Sequence, residues 1–133
     1  MRQEKSDFVA LNEENYVDLA EKVIESLERD RRGNIKLSTS QIRNILAMSS
    51  DIYSDVMEIK GDKLIPEIIG RINYLKVRIV YEEGRNPDVK DFAEKAKLRF
   101  YLDHISGSKE KFLYFSRYME ALVAFHRYNG GRD

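Results

Sequence analysis

From Asn12 to Tyr128 the apolar residues of this chain recur at every third or fourth position, and only two prolines are available to interrupt them. That period fits amphipathic helices and leaves no convincing strand. The clearest case is the set Ile65, Ile68, Ile69, Ile72, Leu75 and Ile79, which falls on one helical face. Pro66 sits in the first turn, where its missing amide proton costs nothing, and Gly84 is placed to close the helix. Arg71 and Arg78 stand seven apart on roughly the opposite face, with Tyr74 and Tyr81 beside them at the same spacing. Such a ridge is dispensable for folding, so it either keeps the surface soluble or touches something anionic.

Four further segments carry the same period. Asn12 is placed to cap a helix whose first turn holds Glu13 and Glu14 and whose inward stripe is Tyr16, Leu19, Ala20, Val23 and Leu27, ending near Asp30. Ser38 followed by Gln41 is a capping-box pattern, and it opens a helix from about Thr39 to Glu58 with Ile42, Ile45, Leu46, Ser49, Ile52, Tyr53 and Val56 inward. Asn86 before Pro87 starts a fourth helix with Val89, Phe92, Ala93, Ala96 and Phe100 inward. The fifth, Lys109 to about Tyr128, is apolar on two sides, so it is either the central member of the bundle or one that offers its second face to another chain. The reading is an all-α, single-domain bundle of about five helices over residues 1–133, with residues 1–12 and 129–133 flexible.

Composition narrows the classes of function. A hydrophobic fraction of 42% is enough for one core in 133 residues, and a charged fraction of 35% suits helices with solvated outer faces. No run approaches the ~20 apolar residues of a membrane span, and no apolar signal core follows the first residues. With no cysteine, disulfides and thiolate metal sites are excluded. A soluble, cytoplasmic protein with no membrane partner is expected. The net charge of zero hides an asymmetry, because residues 1–30 hold nine acids against four bases and leave the remainder basic. Surfaces of different sign orient a protein between an anionic ligand and a basic neighbour.

Catalytic sets are missing from the pattern. His104 and His126 sit in separate contexts, and His126 falls on the Phe112, Phe115 and Met119 side of its helix, where a core or interface role is expected. No Glu-x-x-His or His-x-x-x-His pair supplies metal ligands, and the glycines form no phosphate loop. The carboxylate pairs Glu82 with Glu83 and Asp51 with Asp55 are read as solvated helix faces. No catalytic residue, metal site or cofactor is expected. Binding has more support: Arg71 and Arg78, extended by Arg85, form one outward row, and Arg117 with Arg127 forms another. Guanidinium groups grip phosphate in bidentate fashion, with an affinity that weakens steeply with salt. Lys76 points toward the apolar side, so it must snorkel, pair with a carboxylate or reach an interface.

Three blocks in order, Ser40-Gln41-Ile42-Arg43-Asn44-Ile45-Leu46, then Arg71-Ile72-Asn73-Tyr74-Leu75-Lys76-Val77-Arg78 with Tyr81-Glu82-x-Gly84-Arg85, then Phe115-x-Arg117 through His126, resemble the small helical subunit of the type III-A (Csm) CRISPR RNA-guided effector complex. The similarity covers roughly residues 38–133, and the first 37 residues match nothing diagnostic. It implies a non-catalytic strut of antiviral defence in the prokaryotic cytoplasm, present in several copies along an inner filament. Its implied partners are guide RNA and target RNA, other Csm-type effector subunits and copies of itself. Basic residues of the matching blocks give Arg43, Arg71, Lys76, Arg78, Arg85, Arg117 and Arg127 as the implied RNA-binding set. The alternative is a pure assembly module whose arginines meet a neighbour's carboxylates.

Overall fold

The computed structural model describes residues 9–132. The order of elements is α1 (Tyr16–Glu25), α2 (Thr39–Met57), α3 (Pro66–Arg85), α4 (Pro87–Ala96), α5 (Leu98–Asp103) and α6 (Lys109–Tyr128). The architecture is all-α; among the described residues the only β pairing is two isolated bridges, Arg29 with Ile35 and Lys63 with Ser108. Among the described residues six helices stand where about five are expected, because the segment from Pro87 breaks at Lys97. That residue adopts φ +57°, in the left-handed region, and divides α4 from α5. The expected stripe divides with it: Val89, Phe92, Ala93 and Ala96 are buried on α4, while Phe100 is half-buried on α5.

The ends of the helices follow their local chemistry. Asn12 does not cap α1 directly; its side chain accepts from Glu14 N at 2.8 Å and Asn15 N at 2.9 Å, closing a turn just ahead of the helix. The first helix also stops at Glu25, short of the expected Asp30, since the Ser26 hydroxyl donates to Val23 O at 2.7 Å. Asp30 instead organises a turn, accepting from Arg32 N at 2.9 Å and Asn34 N at 3.0 Å while Gly33 takes φ +85°. The Asn34 amide foremost holds the Asp30 carboxyl below its ordinary value. The capping box of α2 is complete: Ser38 Oγ accepts from Gln41 N at 3.1 Å, and Gln41 Oε1 accepts from Ser38 N at 2.8 Å. Gly84 does not end α3. The helix runs on to Arg85 and stops at Asn86, because a residue before proline is pushed into extended backbone. Asn86 then caps α4 by accepting from Asp88 N and Val89 N.

Core formation centres on α6, which packs against α1, α2 and α5. Phe112, Phe115, Tyr118, Met119 and Leu122 are all buried. Tyr118 donates to Ala96 O at 2.8 Å and meets the Tyr101 ring edge-on, so its hydroxyl is satisfied inside the core. Burial pushes the Tyr118 phenol far above its ordinary range. Ile24 belongs to the buried face of α1 although the sequence stripe omits it. On α3 the buried face is Ile68, Ile72, Leu75 and Ile79. The sequence pattern adds Ile65 and Ile69 to that face, yet both are exposed: Ile65 precedes the helix as its N-cap, and Ile69 stands a quarter-turn off the stripe.

His126 is a core histidine, 1% exposed, with its Nε2–H donating to Leu37 O at 2.8 Å. The chain after α6 folds back over it. Gly131 N donates to His126 O at 2.7 Å, and Arg132 O accepts from Thr39 N at 3.3 Å. The residues preceding Val9, and Asp133, lie outside the described residues, and with them most of the segment expected to be flexible at the start. A Cβ at Gly131 would overlap the His126 ring. Gly131→Ala is therefore expected to destabilise the protein by about 1–3 kcal/mol, in the range of overpacking, as a lower midpoint in urea; an unchanged midpoint would contradict this close approach.

Candidate nucleic-acid interface

Residues seven apart on a helix fall 20° short of two full turns, so Arg71, Arg78 and Arg85 form one slowly drifting file along α3. The file does not stand directly opposite the buried stripe, as expected from sequence. It runs along the flank beside α2, because α2 packs against that side of α3. Met48, Asp51, Ile52, Arg71, Tyr74, Leu75 and Arg78 line a groove of about 200 Å³ between the two helices. Arginine and tyrosine rise from its α3 wall, and aliphatic side chains form its floor.

Within the file the arginines are not equivalent. Arg71 is half-buried and pairs with Asp55 at 2.5 Å while donating to Asp51 O at 2.9 Å. It ties α3 to α2, so Asp55 is a structural partner and not the merely solvated carboxylate its spacing suggests. Arg78 is exposed and has no ion pair among the described residues. Arg85 approaches Glu82 at 3.7 Å and lies over the Tyr81 ring, 5.6 Å from its centroid. Lys76, on the other flank of α3, forms an ion pair with Asp103 of α5. That pair accounts for a cation beside an apolar stripe: its stem lies along the helix and its charge is met by a neighbouring element.

The remaining basic positions are spread over other elements. Arg43 projects from the outer face of α2 and Arg127 from the last turn of α6, both exposed and without an ion pair among the described residues. Arg127 there complements the carbonyl end of its helix. Arg117 is engaged: it stands 3.5 Å from Glu13 and over the Tyr114 ring, and the Tyr114 hydroxyl donates to the same carboxylate at 3.1 Å. Accepting that hydrogen bond, Glu13 foremost raises the Tyr114 phenol above its ordinary value. Arg117 thus anchors the acidic segment before α1. Arg71 and Arg78 come together on the groove, Arg85 extends their file, and Arg43, Lys76, Arg117 and Arg127 lie apart from it.

Both imidazoles are committed to backbone carbonyls, since His104 Nδ1–H donates to Phe100 O at 2.8 Å and His126 to Leu37 O. Among the described residues no group of three or more His, Asp or Glu side chains stands together as a metal site, and no helix is long and apolar enough to cross a membrane. Sequence reasoning misses Met48 and Asp51 as members of the groove. Their i, i+3 spacing on one side of the α2 stripe is the available signal, but only the pairing of α2 with α3 gives it meaning. Glu83 also departs from the solvated carboxylate its position suggests. It is half-buried, and its Oε2 has no hydrogen-bond partner among the described residues. Desolvation raises its pKa above the ordinary 4.5, against the opposing pull of Arg99.

A model of the family described as Csm2 Type III-A matches residues 10–132. The chain is 46% identical over 123 residues to the CRISPR system Cms protein Csm2 of Streptococcus thermophilus, an alignment covering 92% of this chain and 98% of that relative. It is 35% identical over 121 residues to the Mycobacterium tuberculosis protein of the same name, strain CDC 1551 / Oshkosh, covering 91% and 96% respectively. An Enterococcus italicus protein, again so named, is 33% identical over 122 residues, covering 84% of this chain and 87% of the relative.

The charges around α3 lead to two expected outcomes. A carboxyl whose pKa is raised in the folded state holds its proton more tightly there, so its ionised form weakens the fold once the pH exceeds the raised value. Glu83→Gln should raise the thermal midpoint at pH 7, with the gain shrinking as pH falls through the ordinary glutamate range; a gain that persists at pH 4 would contradict this. Arg71→Ala should cost about 1 kcal/mol, as an exposed ion pair with one added hydrogen bond does. High salt should shrink that loss in denaturant titrations.

Proposed function

The chain belongs to the Csm2 type III-A family, and from that premise we propose that it is a non-catalytic small subunit of a type III-A CRISPR complex that contacts the RNA backbone through exposed cations. It acts as one helical domain, repeated along the inner filament of the complex in the prokaryotic cytoplasm, beside guide and target RNA. The observation that carries the RNA contact is the exposure of Arg43, Arg78 and Arg127 with no carboxylate partner among the described residues. An unpaired guanidinium moves onto a phosphate without surrendering an existing ion pair, whereas a paired one must exchange one anion for another. Within the set Arg43, Arg71, Lys76, Arg78, Arg85, Arg117 and Arg127, the three unpaired arginines therefore grip phosphate first. Arg85 and Arg117, in long and exposed pairs, follow. Arg71 and Lys76 contribute mainly as braces that hold α3 against α2 and α5.

Contact with backbone instead of bases suits this geometry. Tyr74 and Tyr81 stand out from α3 singly, two turns apart, too far from one another to stack successive bases. Sequence preference in such a complex resides in pairing between guide and target.

The test replaces Arg43 and Arg78 by Glu together and measures target-RNA binding by the assembled complex over a salt series. Binding should weaken at low salt, and the slope of log affinity against log salt should shrink by about one for each phosphate that is no longer neutralised. Unaltered affinity and slope would reject RNA contact and favour a pure assembly module, in which crosslinking yields protein adducts alone.

A further inference from the structure

Two stretches of the chain, 31–50 and 121–132, contain no acidic residue, and together they hold Arg31, Arg32, Lys36, Arg43, Arg127 and Arg132. The fold brings them to one end of the bundle. His126, in the last turn of α6, is bonded to Leu37 O, and Thr39 N at the opening of α2 donates to Arg132 O at 3.3 Å. Arg43 stands one turn beyond Thr39 on the same flank of α2, since four residues advance a helix by little more than a full turn. Arg127 follows His126 directly, while Arg31 and Arg32 lie at the tip of the loop that leads to Leu37. The loop between α1 and α2, the start of α2 and the close of α6 thus contribute arginines to one end face.

The loop is held by its own backbone. Asp30 N donates to Asn34 O at 2.8 Å, Lys36 N to Glu28 O at 3.0 Å and the Arg29 guanidinium to Gly33 O at 2.8 Å, while Ile35 and Leu37 are buried. Arg31 and Arg32 are exposed on this fixed frame, so little chain entropy remains to be lost on binding. The acids nearest along the chain are engaged elsewhere or stand apart. Asp30 accepts from the backbone of Arg32 and Asn34; the Asn34 amide foremost, and the Arg32 charge last, hold its carboxyl below its ordinary value. Glu28 approaches Lys36 at 4.0 Å, and Asp91 of α4 accepts from Glu28 N and pairs with Lys95. Exposed Glu25 ends α1 without an ion pair. Among the described residues no ion pair involves Arg31, Arg32, Arg43, Arg127 or Arg132.

We propose that this end face binds a single-stranded RNA segment, gripped at its phosphates by Arg31, Arg32, Arg43, Arg127 and Arg132 and stacked at one base by Tyr128. Cations from three elements with no acid between them along either stretch suit successive phosphates of a polyanion. A protein partner needs an apolar centre to its interface, and residues 31–50 expose no large apolar side chain. Tyr128, beside Arg127 at the end of α6, is 82% exposed. An aromatic ring among guanidinium groups is the combination that holds single strands without regard to sequence. RNA as the ligand rests on the contact proposed above, and Arg31, Arg32, Arg132 and Tyr128 extend that contact beyond the residues that the family resemblance implies.

The experiment titrates the full chain with a fluorescent oligouridylate of about twenty nucleotides over a salt series. Arg31→Gln, Arg32→Gln and Arg132→Gln together should weaken binding about tenfold at low salt. They should also lower the slope of log affinity against log salt by about two, since each phosphate contact on a single strand contributes about 0.7. Tyr128→Ala should weaken binding about tenfold with the slope unchanged, as loss of one stacked base does. Both variants should keep the urea midpoint of the parent chain. No measurable binding, unaltered affinity in either variant, or equal affinity for a poly-glutamate peptide of the same charge would overturn the proposal, the last in favour of an acidic protein partner. Arg78→Glu, outside the end face, separates the two readings in the same titration. Loss there beside an unaltered triple variant removes the end face and leaves the RNA contact on α3, whereas loss in the triple variant alone keeps the end face and removes Arg78.

Discussion

Phe112, Phe115, Tyr118, Met119 and Leu122 leave water together on α6, and the helices around them are positioned by that one act of burial. Side chains of this size contribute about 1.5–3 kcal/mol each when fully buried, so the five together are comparable to the net stability of an ordinary domain. Their burial fixes α1 and α2 against α6 directly. The Tyr118 hydroxyl, satisfied by Ala96 O, adds the end of α4. At the far end of α6 the buried His126 holds Leu37 through its imidazole and Gly131 of the returning chain through its backbone carbonyl, so the approach to α2 and the segment after α6 are set at one residue. Buried Ser49 and His126 are hydrogen-bonded to the carbonyls of Leu46 and Leu37, which converts their burial from a cost into a constraint on geometry, whereas the buried Ser116 hydroxyl has no partner among the described residues.

Once α2 and α3 are placed, the cations sort themselves by what they face. Arg71 finds Asp55 and the Asp51 carbonyl across the α2–α3 boundary, and Lys76 finds Asp103 on α5, so both become braces between elements. Arg78, one heptad further along the same file, passes the last carboxylate of α2 and is left exposed. A file that reads as uniform in sequence is thus divided by its neighbours into a braced portion and a free one. The division decides which positions are available to an external anion and which are already occupied.

Much of the architecture is legible in sequence because helical period, capping and proline position are local properties. The Ser38 and Gln41 box, Pro66 at the start of α3 and the Asn86 cap with Pro87 are all readable from short stretches, as are the buried faces of α2 and α4. Departures arise where a competing local interaction or a neighbour intervenes. Ser26 ends α1 early, Lys97 breaks a helix whose apolar pattern continues through it, and Asn86 with Pro87 overrides Gly84. The candidate site is legible only as a set of basic positions. Its groove, with Met48 and Asp51, requires two segments some twenty residues apart in sequence to be brought side by side.

The sequence by itself determined that the chain is helical, where most helices begin, most of the residues that face inward, and which family the motif blocks resemble, because each depends on residues within a few turns of one another. Only the tertiary structure decided that Arg71 and Lys76 are held by Asp55 and Asp103 while Arg43, Arg78 and Arg127 have no such partner among the described residues. It also decided that the outer face of α3, with Gly70, Val77 and Gly84, is left uncovered among the described residues. The physical reason is common to both: a charge or an apolar face acquires its role from what packs against it, and packing between distant segments is set by the burial of α6.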